Sequence, residues 1–143
     1  MTEFDPESVS ARIAFVVGRV NRRLSTATGG LSHGQLSALA TVSKAGPLRL
    51  AELGQIEHVS APGITRIVAD LEARELVGRR PDPDDGRAVL IEVTATGTEA
   101  LWRARAARAE VVEGMLGDLD DSELASITSA LPALEKLIGV TVR

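Results

Sequence analysis

The stretch Leu50-Ala51-Glu52-Leu53-Gly54-Gln55-Ile56-Glu57-His58-Val59-Ser60-Ala61-Pro62-Gly63-Ile64-Thr65-Arg66-Ile67-Val68-Ala69-Asp70-Leu71 decides the fold. It reads as a short helix over about 50–57, a tight turn at His58-Val59, and a second helix capped by Ser60. On that second helix Ile64, Ile67, Val68 and Leu71 recur at spacings of three and four, one apolar stripe for burial. After Leu76 the period changes. Val77 to Arg80 and Ala88 to Val93 are β-like and flank Pro81-Asp82-Pro83-Asp84-Asp85-Gly86, a hairpin with a long polar tip. Two helices on a short turn followed by a hairpin describe a winged helix-turn-helix.

Working outward, Asp5-Pro6 predicts an N-cap and a proline at the first helical position, opening a helix to about Ala27 that Gly29-Gly30 stops. Its Val9, Ile13, Val16, Val17, Val20 and Leu24 fall on one apolar stripe. Ser32-His33-Gly34-Gln35 reads as a capping box for a second helix ending at Ala45-Gly46-Pro47. Downstream, Thr96-Gly97-Thr98-Glu99 reads as another capping box, opening an Ala- and Arg-rich helix that Gly117 closes. Asp120-Asp121-Ser122-Glu123 opens the last helix, which carries Leu124, Ile127, Leu131 and Leu134, and Pro132 inside it predicts a kink or break.

The fold class is therefore mainly α with a small β-hairpin wing. One domain over 1–143 suits the length of 143 residues. Its winged helix-turn-helix portion covers 31–94, and helices for dimerisation cover 1–30 and 95–143. The terminal stripes are long enough that a spread helical chain would leave part of them wet without a partner, which points to a homodimer.

Composition narrows the chemistry. Hydrophobic residues at 44% and charged residues at 25% match a soluble globular chain. No apolar run long enough for a membrane span appears, and the acidic start lacks a signal peptide's layout, so a cytoplasmic location with no membrane is expected. The absence of cysteine removes disulfides, thiolate nucleophiles and cysteine-ligated zinc, and His33 and His58 alone are too few for a histidine metal site. Neither a metal nor a cofactor is expected. Aromatic residues at 2% cannot build a base-stacking platform. An enzyme is disfavoured too: no Gly-rich phosphate loop or nucleophile elbow is present, and Asp84-Asp85 and Asp120-Asp121 read as a turn and a helix cap. The net charge of −4 weighs against nucleic acid on its own, but the local field of one face decides phosphate binding.

The ordered set Leu50-Ala51-Glu52-Leu53, Val59 to Val68, Leu71-Glu72, Leu76-Val77, Arg80, Asp82 to Arg87, Val93-Thr94 and Gly97 resembles the MarR family of transcriptional regulators. The resemblance implies a two-fold dimer whose terminal helices interlock and whose winged domains straddle duplex DNA. A near-palindromic site follows, because the two recognition helices must fall about one helical turn of DNA apart, roughly 34 Å. Repression by covering a promoter needs no further surface.

With Ile64, Val68 and Leu71 facing the core, the second helix of the motif presents Pro62, Gly63, Arg66 and Asp70 outward. Arg66 can offer a guanine two parallel hydrogen bonds or clamp a phosphate, or else pair with Asp70. Ser60 and Thr65 suit phosphate oxygens near the helix N-terminus. Gly63 departs from the Ser or Thr common in the family, so a side-chain contact is missing there. In the wing, Asp85-Gly86-Arg87 matches the family's Asp-x-Arg, in which the arginine approaches the minor groove and the aspartate orients it; the alternative is that Arg87 neutralises the acidic turn. Arg79 and Arg80 must face opposite sides of their strand, so only one of them can touch the DNA backbone well; Arg80 is the candidate carried forward, and the alternation itself does not say which of the two faces DNA. The resemblance also implies a small aromatic or phenolic effector held between dimer helices and winged domain, with Arg12, Phe15, Arg19, His33 and Trp102 as candidates by helical position. A lone Phe or Trp on such helices otherwise reads as core. The competing function is a winged-helix protein-interaction module without sequence-specific DNA binding.

Overall fold

The computed structural model describes residues 5–139. Its elements are α1 (Val9–Leu24), α2 (His33–Ala45), β1 (Leu48–Arg49), α3 (Leu50–Glu57), α4 (Ala61–Ala73), β2 (Val77–Pro81), β3 (Val89–Val93), α5 (Ala95–Leu116) and α6 (Asp121–Leu137). The chain divides into two compact units, Met1–Arg108 and Ala109–Arg143.

In the first unit the core is built by α2, α3, α4, the sheet and the first turns of α5. Leu36, Leu39 and Val42 of α2 meet Leu53 of α3 and Ile64, Val68 and Leu71 of α4, with Ile91 and Leu101 closing the cluster. The stripe on α4 is thus buried as its spacing requires. All three strands are antiparallel in the order β1-β3-β2, and Leu48 lies opposite Ile91 while Arg80 lies opposite Leu90. The expected hairpin is there, with its first strand extended by one residue at Pro81 and its second beginning at Val89 rather than Ala88. The two-residue strand β1 adds to it a third strand that the sequence did not suggest.

Several boundaries differ from expectation for local reasons. Asp5 does not cap α1; its carboxylate accepts the Glu7 N–H, forming a turn, and Ser8 caps the helix by accepting from Ala11 N–H. The helix then ends at Leu24 rather than Ala27, with Gly29 and Gly30 at positive φ beyond it. Likewise α5 is not opened by a box at Thr96. Thr94 is the cap: its Oγ1 accepts from Gly97 N–H at 2.9 Å and donates to the Glu75 carbonyl at 2.6 Å. This places Gly97 in the first turn, where a Cβ would stand 1.9 Å from the Leu76 carbonyl oxygen. Only glycine fits there. The box at Ser32 and Gln35 forms as expected, each side chain meeting the other's backbone N–H.

In the second unit α6 is opened by Asp120, which exchanges side-chain-to-backbone hydrogen bonds with Glu123. Pro132 does not break it, and the helix continues to Leu137. Proline costs one N–H and crowds the preceding turn, a defect one helix can absorb.

Candidate nucleic-acid interface

The turn between α3 and α4 sets the geometry of the interface. His58 takes a left-handed conformation at φ 54°, and the Val59 N–H returns to the Gly54 carbonyl at 3.0 Å. Gly54 is buried, with Ile64 Cγ2 lying 3.2 Å from where its Cβ would be, so a small residue lets the two helices approach. Ser60 then caps α4, its Oγ accepting the Gly63 N–H at 3.3 Å. Its hydroxyl donates no hydrogen bond among the described residues, so the proton remains available to an outside acceptor.

Gly63 is half-buried rather than presented to solvent. A Cβ there would meet Val59 Cγ1 at 2.7 Å and Ser60 Oγ at 3.1 Å, so the glycine serves the tight turn. Thr65 is exposed, but its Oγ1 donates to the Ala61 carbonyl at 2.8 Å. In that state it offers only lone pairs, which suit a base amino group better than a phosphate oxygen. Pro62 and Arg66 are exposed on the same helix. The pairing of Arg66 with Asp70 is not formed: Asp70 instead accepts from Gln35 Nε2 at 3.3 Å, and no carboxylate lies within ion-pair distance of Arg66 among the described residues.

On the wing, Asp85 Oδ1 accepts the backbone N–H of Arg87 at 3.0 Å and so shapes the turn that carries it. The Arg87 side chain is exposed and has no ion-pair partner among the described residues. Arg79 and Arg80 diverge as alternation requires. Arg79 reaches Glu72 of α4 at 2.8 Å, whereas Arg80 pairs with Glu92 of β3 at 3.2 Å. Both cations are therefore partly neutralised, while Arg66 and Arg87 are not.

Two features of this region leave no signal in the sequence. Asp82, at 7% exposure, accepts from Nε and Nη2 of Arg49 through one oxygen and from Asp84 N–H through the other. The Asp84 N–H first, and the Arg49 guanidinium second, hold its carboxyl below the usual range; Asp82 in turn raises Arg49. The second feature is Glu57, at the end of α3, whose carboxylate takes the hydroxyls of Ser37 and Thr41 from α2. That clamp fixes the first helix of the motif on its support.

The effector candidates do not converge in one chain. His33 lines a cleft of about 180 Å³ with Leu36, Ala40, Leu101, Arg105 and Arg108, the two arginines being additions to the expected set. Arg12 and Phe15 line a separate hollow along α1. Arg19 stacks over the Phe15 ring at 5.6 Å, and Arg105 over Trp102 at 5.9 Å. Phe15 and Trp102 are 66% and 65% exposed, so neither is core within one chain.

A helix-turn-helix whose second helix shows an uncommitted arginine, followed by a wing that shows another, defines a winged-helix DNA-binding regulator. The model of the MarR family matches residues 31–89. A transcriptional regulator of Mycobacterium bovis, Mb0904, described as an uncharacterized HTH-type regulator, is 33% identical over 132 residues, 91% of this chain and 92% of that protein. The transcriptional repressor NicR of Pseudomonas putida is 35% identical over 104 residues, 73% of this chain and 64% of that one. Among solved structures, RV1404 of Mycobacterium tuberculosis superposes with a TM-score of 0.83 at 19% identity, covering 99% of both chains. The apo form of wild-type MarR from E. coli gives 0.72 at 21% identity over 89% of this chain and 96% of that one, a likeness of fold. The chain belongs to the MarR family of transcriptional regulators.

Proposed function

We propose that the protein acts as a homodimeric repressor in the bacterial cytoplasm. The observation that carries the reading is the pair Arg66 and Arg87, both exposed and without a carboxylate partner among the described residues, on the two elements that a winged helix offers to the grooves. Arg66 reads a base or clamps a phosphate in the major groove, and Arg87 enters the minor groove. Ser60 donates to a phosphate; Pro62 and Gly63 bring the backbone of α4 close; Asp85 shapes the wing tip. Thr65 accepts from a base amino group, and Arg80, shared with Glu92, adds a weaker phosphate contact.

Dimerisation is supported by apolar surface that one chain leaves uncovered. On α1, Val9, Val16 and Val17 are more than half exposed, and on α6 Ile127, Leu131 and Leu134 are also solvent-accessible. In this reading residues 31–94 form the DNA-binding portion, and 1–30 with 95–143 form the dimer. Two-fold symmetry then makes the site near-palindromic. Repression is supported by the name of the relative NicR. For relief, a small aromatic or phenolic acid would enter the His33 cleft, its acidic oxygen held by Arg105 or Arg108. Arg12, Phe15, Arg19 and Trp102, which do not line that cleft in one chain, serve this role only across the dimer.

The test is a gel shift followed by footprinting on DNA flanking the protein's own gene. Protection of two half-sites one helical turn apart is expected, with release on adding salicylate. Equal binding to scrambled duplex, or none, would overturn the reading in favour of a protein-interaction module.

A further inference from the structure

We propose that Gln35 of α2 is a positioning residue for DNA reading: it draws the Asp70 carboxylate onto α2 and so leaves the Arg66 guanidinium unpaired for the groove. The inference rests on the reading of Arg66 as a DNA contact, and it adds a residue outside α3 and α4 that decides how much of its charge Arg66 can offer. Arg66 and Asp70 stand four apart on α4, the spacing at which opposite charges are neighbours on a helix. Left to themselves they would pair on a solvated face. The arginine is nearer the N-terminus, which is the weaker order for such a pair, so a modest competitor decides where the carboxylate goes. That competitor is Gln35, whose Nε2 donates to Asp70 Oδ2 at 3.3 Å from the neighbouring helix. No carboxylate lies within ion-pair distance of Arg66 among the described residues.

The helix cap directs this amide. Its Oε1 accepts the Ser32 N–H at 3.0 Å, and the Nε2 end, a donor alone, is left to face α4. A capping box takes Glu or Gln at this position, but a glutamate would turn a second carboxylate toward Asp70 and could not donate to it. Glutamine does both. Because the cap already fixes its side chain, Gln35 has little rotamer freedom left to lose on meeting Asp70, which lets an exposed hydrogen bond compete. The two helices touch here, for a Cβ on Gly34 would stand 3.4 Å from Ile67 Cδ1. The other charged groups near Asp70 are placed elsewhere. Arg74, four residues further on, has its Nη2 3.3 Å from where a Cβ on Gly30 would stand, and it makes no ion pair with Asp70. Glu72, the second acid of α4, is held by Arg79 of β2 at 2.8 Å. Both acidic side chains of α4 are thus tied to other elements, and Arg66 keeps its full charge.

The test is a double-mutant cycle on the full-length protein, read by fluorescence anisotropy against the footprinted operator duplex and, without DNA, by the side-chain Nε–H resonance of Arg66 in mildly acidic buffer. Gln35→Ala leaves the net charge unchanged, and Ser32 Oγ still caps α2 through the backbone N–H of position 35. It should weaken operator binding about two- to fivefold, the weight of one such helix pair in each of two subunits, and shift the Arg66 resonance. Asp70→Asn should reverse both effects in the Gln35→Ala chain but change them little in an otherwise wild-type one. Once Arg66→Ala is in place, Gln35→Ala should cost no further affinity. An equal effect of Asp70→Asn with and without Gln35 would overturn the proposal, because a loss of the cap alone is not repaired by removing a carboxylate. An Arg66 resonance unmoved by Gln35→Ala would overturn it as well. Undiminished operator binding in Arg66→Ala, with the resonance moving as expected, would instead remove the DNA reading of Arg66 and this role of Gln35 with it.

Discussion

Arg49 and Asp82, 33 residues apart, anchor the start of the wing's tip loop: Nη2 and Nε of the guanidinium both reach Asp82 Oδ2, at 2.7 and 2.9 Å. Arg49 lies at the end of β1 and leads directly into α3, so the pair ties the wing to the helix-turn-helix. Arg49→Ala and Asp82→Asn should therefore leave the fold intact but loosen the wing, weakening operator DNA about tenfold, with little change in the contribution of Arg66. Gel-shift titration of each variant alone and combined with Arg87→Ala checks this. If Arg49 acts by placing Arg87, its loss should cost little more once Arg87 is gone. Full additivity would mean Arg49 contacts DNA itself.

The same pair sets a pH dependence. Asp82 titrates below its ordinary value, first through the Asp84 N–H and then through Arg49. A lowered native value means the ionised form is favoured by folding. The stabilisation is fully present above the unfolded value of about 3.9 and is lost as pH falls toward the lowered native one. Urea midpoints of wild type should thus fall more steeply below about pH 4 than those of Asp82→Asn. Parallel curves would show that the pair adds no linkage.

Gly97 is expected to tolerate no side chain. Because the obstructing atom is the Leu76 carbonyl oxygen, 1.9 Å from the added Cβ, either the α5 N-terminus or the entry to β2 must move. Gly97→Ala should cost about 3 kcal/mol in urea unfolding, the upper part of the range for overpacked sites. A loss under about 1 kcal/mol would show that α5 shifts freely at this end.

Much of this arrangement was legible because it is local. Ser32 with Gln35, Ser60 before an apolar stripe, and Leu50 to Glu57 between a proline and a turn each declare themselves within a few residues, and α2 and α3 have the expected limits while α4 has the expected start. Other features depend on distant partners. The two residues of β1 are too few to show alternation and are extended only because Ile91 and Leu90 lie opposite them. Thr94 outcompetes Thr96 as a cap because its hydroxyl also reaches Glu75. Neither the Arg49–Asp82 pair nor the hold of Ser37 and Thr41 on Glu57 leaves a periodic trace. At the interface the residue types of α4 were readable. What each hydroxyl does was not: Ser60 Oγ accepts the Gly63 N–H as a cap, whereas Thr65 Oγ1 donates to the Ala61 carbonyl inside the helix.

Gly63 carries a prediction opposite in sign to the one its sequence context suggests. A serine there should not restore a DNA contact; its Cβ would crowd Val59 Cγ1 at 2.7 Å inside the turn. Gly63→Ser should lower stability by about 1–3 kcal/mol and weaken DNA binding, and Val59→Ala in the same chain should recover part of the stability. Improved operator affinity in Gly63→Ser at unchanged melting temperature would refute the steric account.

The uncovered stripe on α1 should be the more sensitive determinant of assembly. Val17 is 59% exposed in one chain, and a glutamate there would bury an unpaired charge in any helix-to-helix contact. Val17→Glu should shift the mass measured by light scattering from twice 15.0 kDa toward one chain at micromolar concentration. A wild-type protein already at one chain's mass would sink the dimer.

Reading and holding should separate between Arg66 and Arg87, since the first stands on the exposed side of α4 and the second on the wing tip. A bidentate contact to guanine is worth about 1–3 kcal/mol of discrimination, so Arg66→Ala should weaken operator binding far more than binding to scrambled duplex. Groove width and phosphate charge matter more at the wing; Arg87→Ala should weaken both and flatten the salt dependence. For the wild type, a dimer touching roughly 6–10 phosphates should lose about 10³–10⁵ in affinity between 50 and 200 mM salt. Both side chains are exposed, so melting temperatures should barely move, surface losses being usually within about 0.5 kcal/mol. Titrating both variants against the two duplexes at two salt concentrations decides it. Undiminished operator affinity in both would remove α4 and the wing from the interface, and a large fall in melting temperature would make these arginines structural.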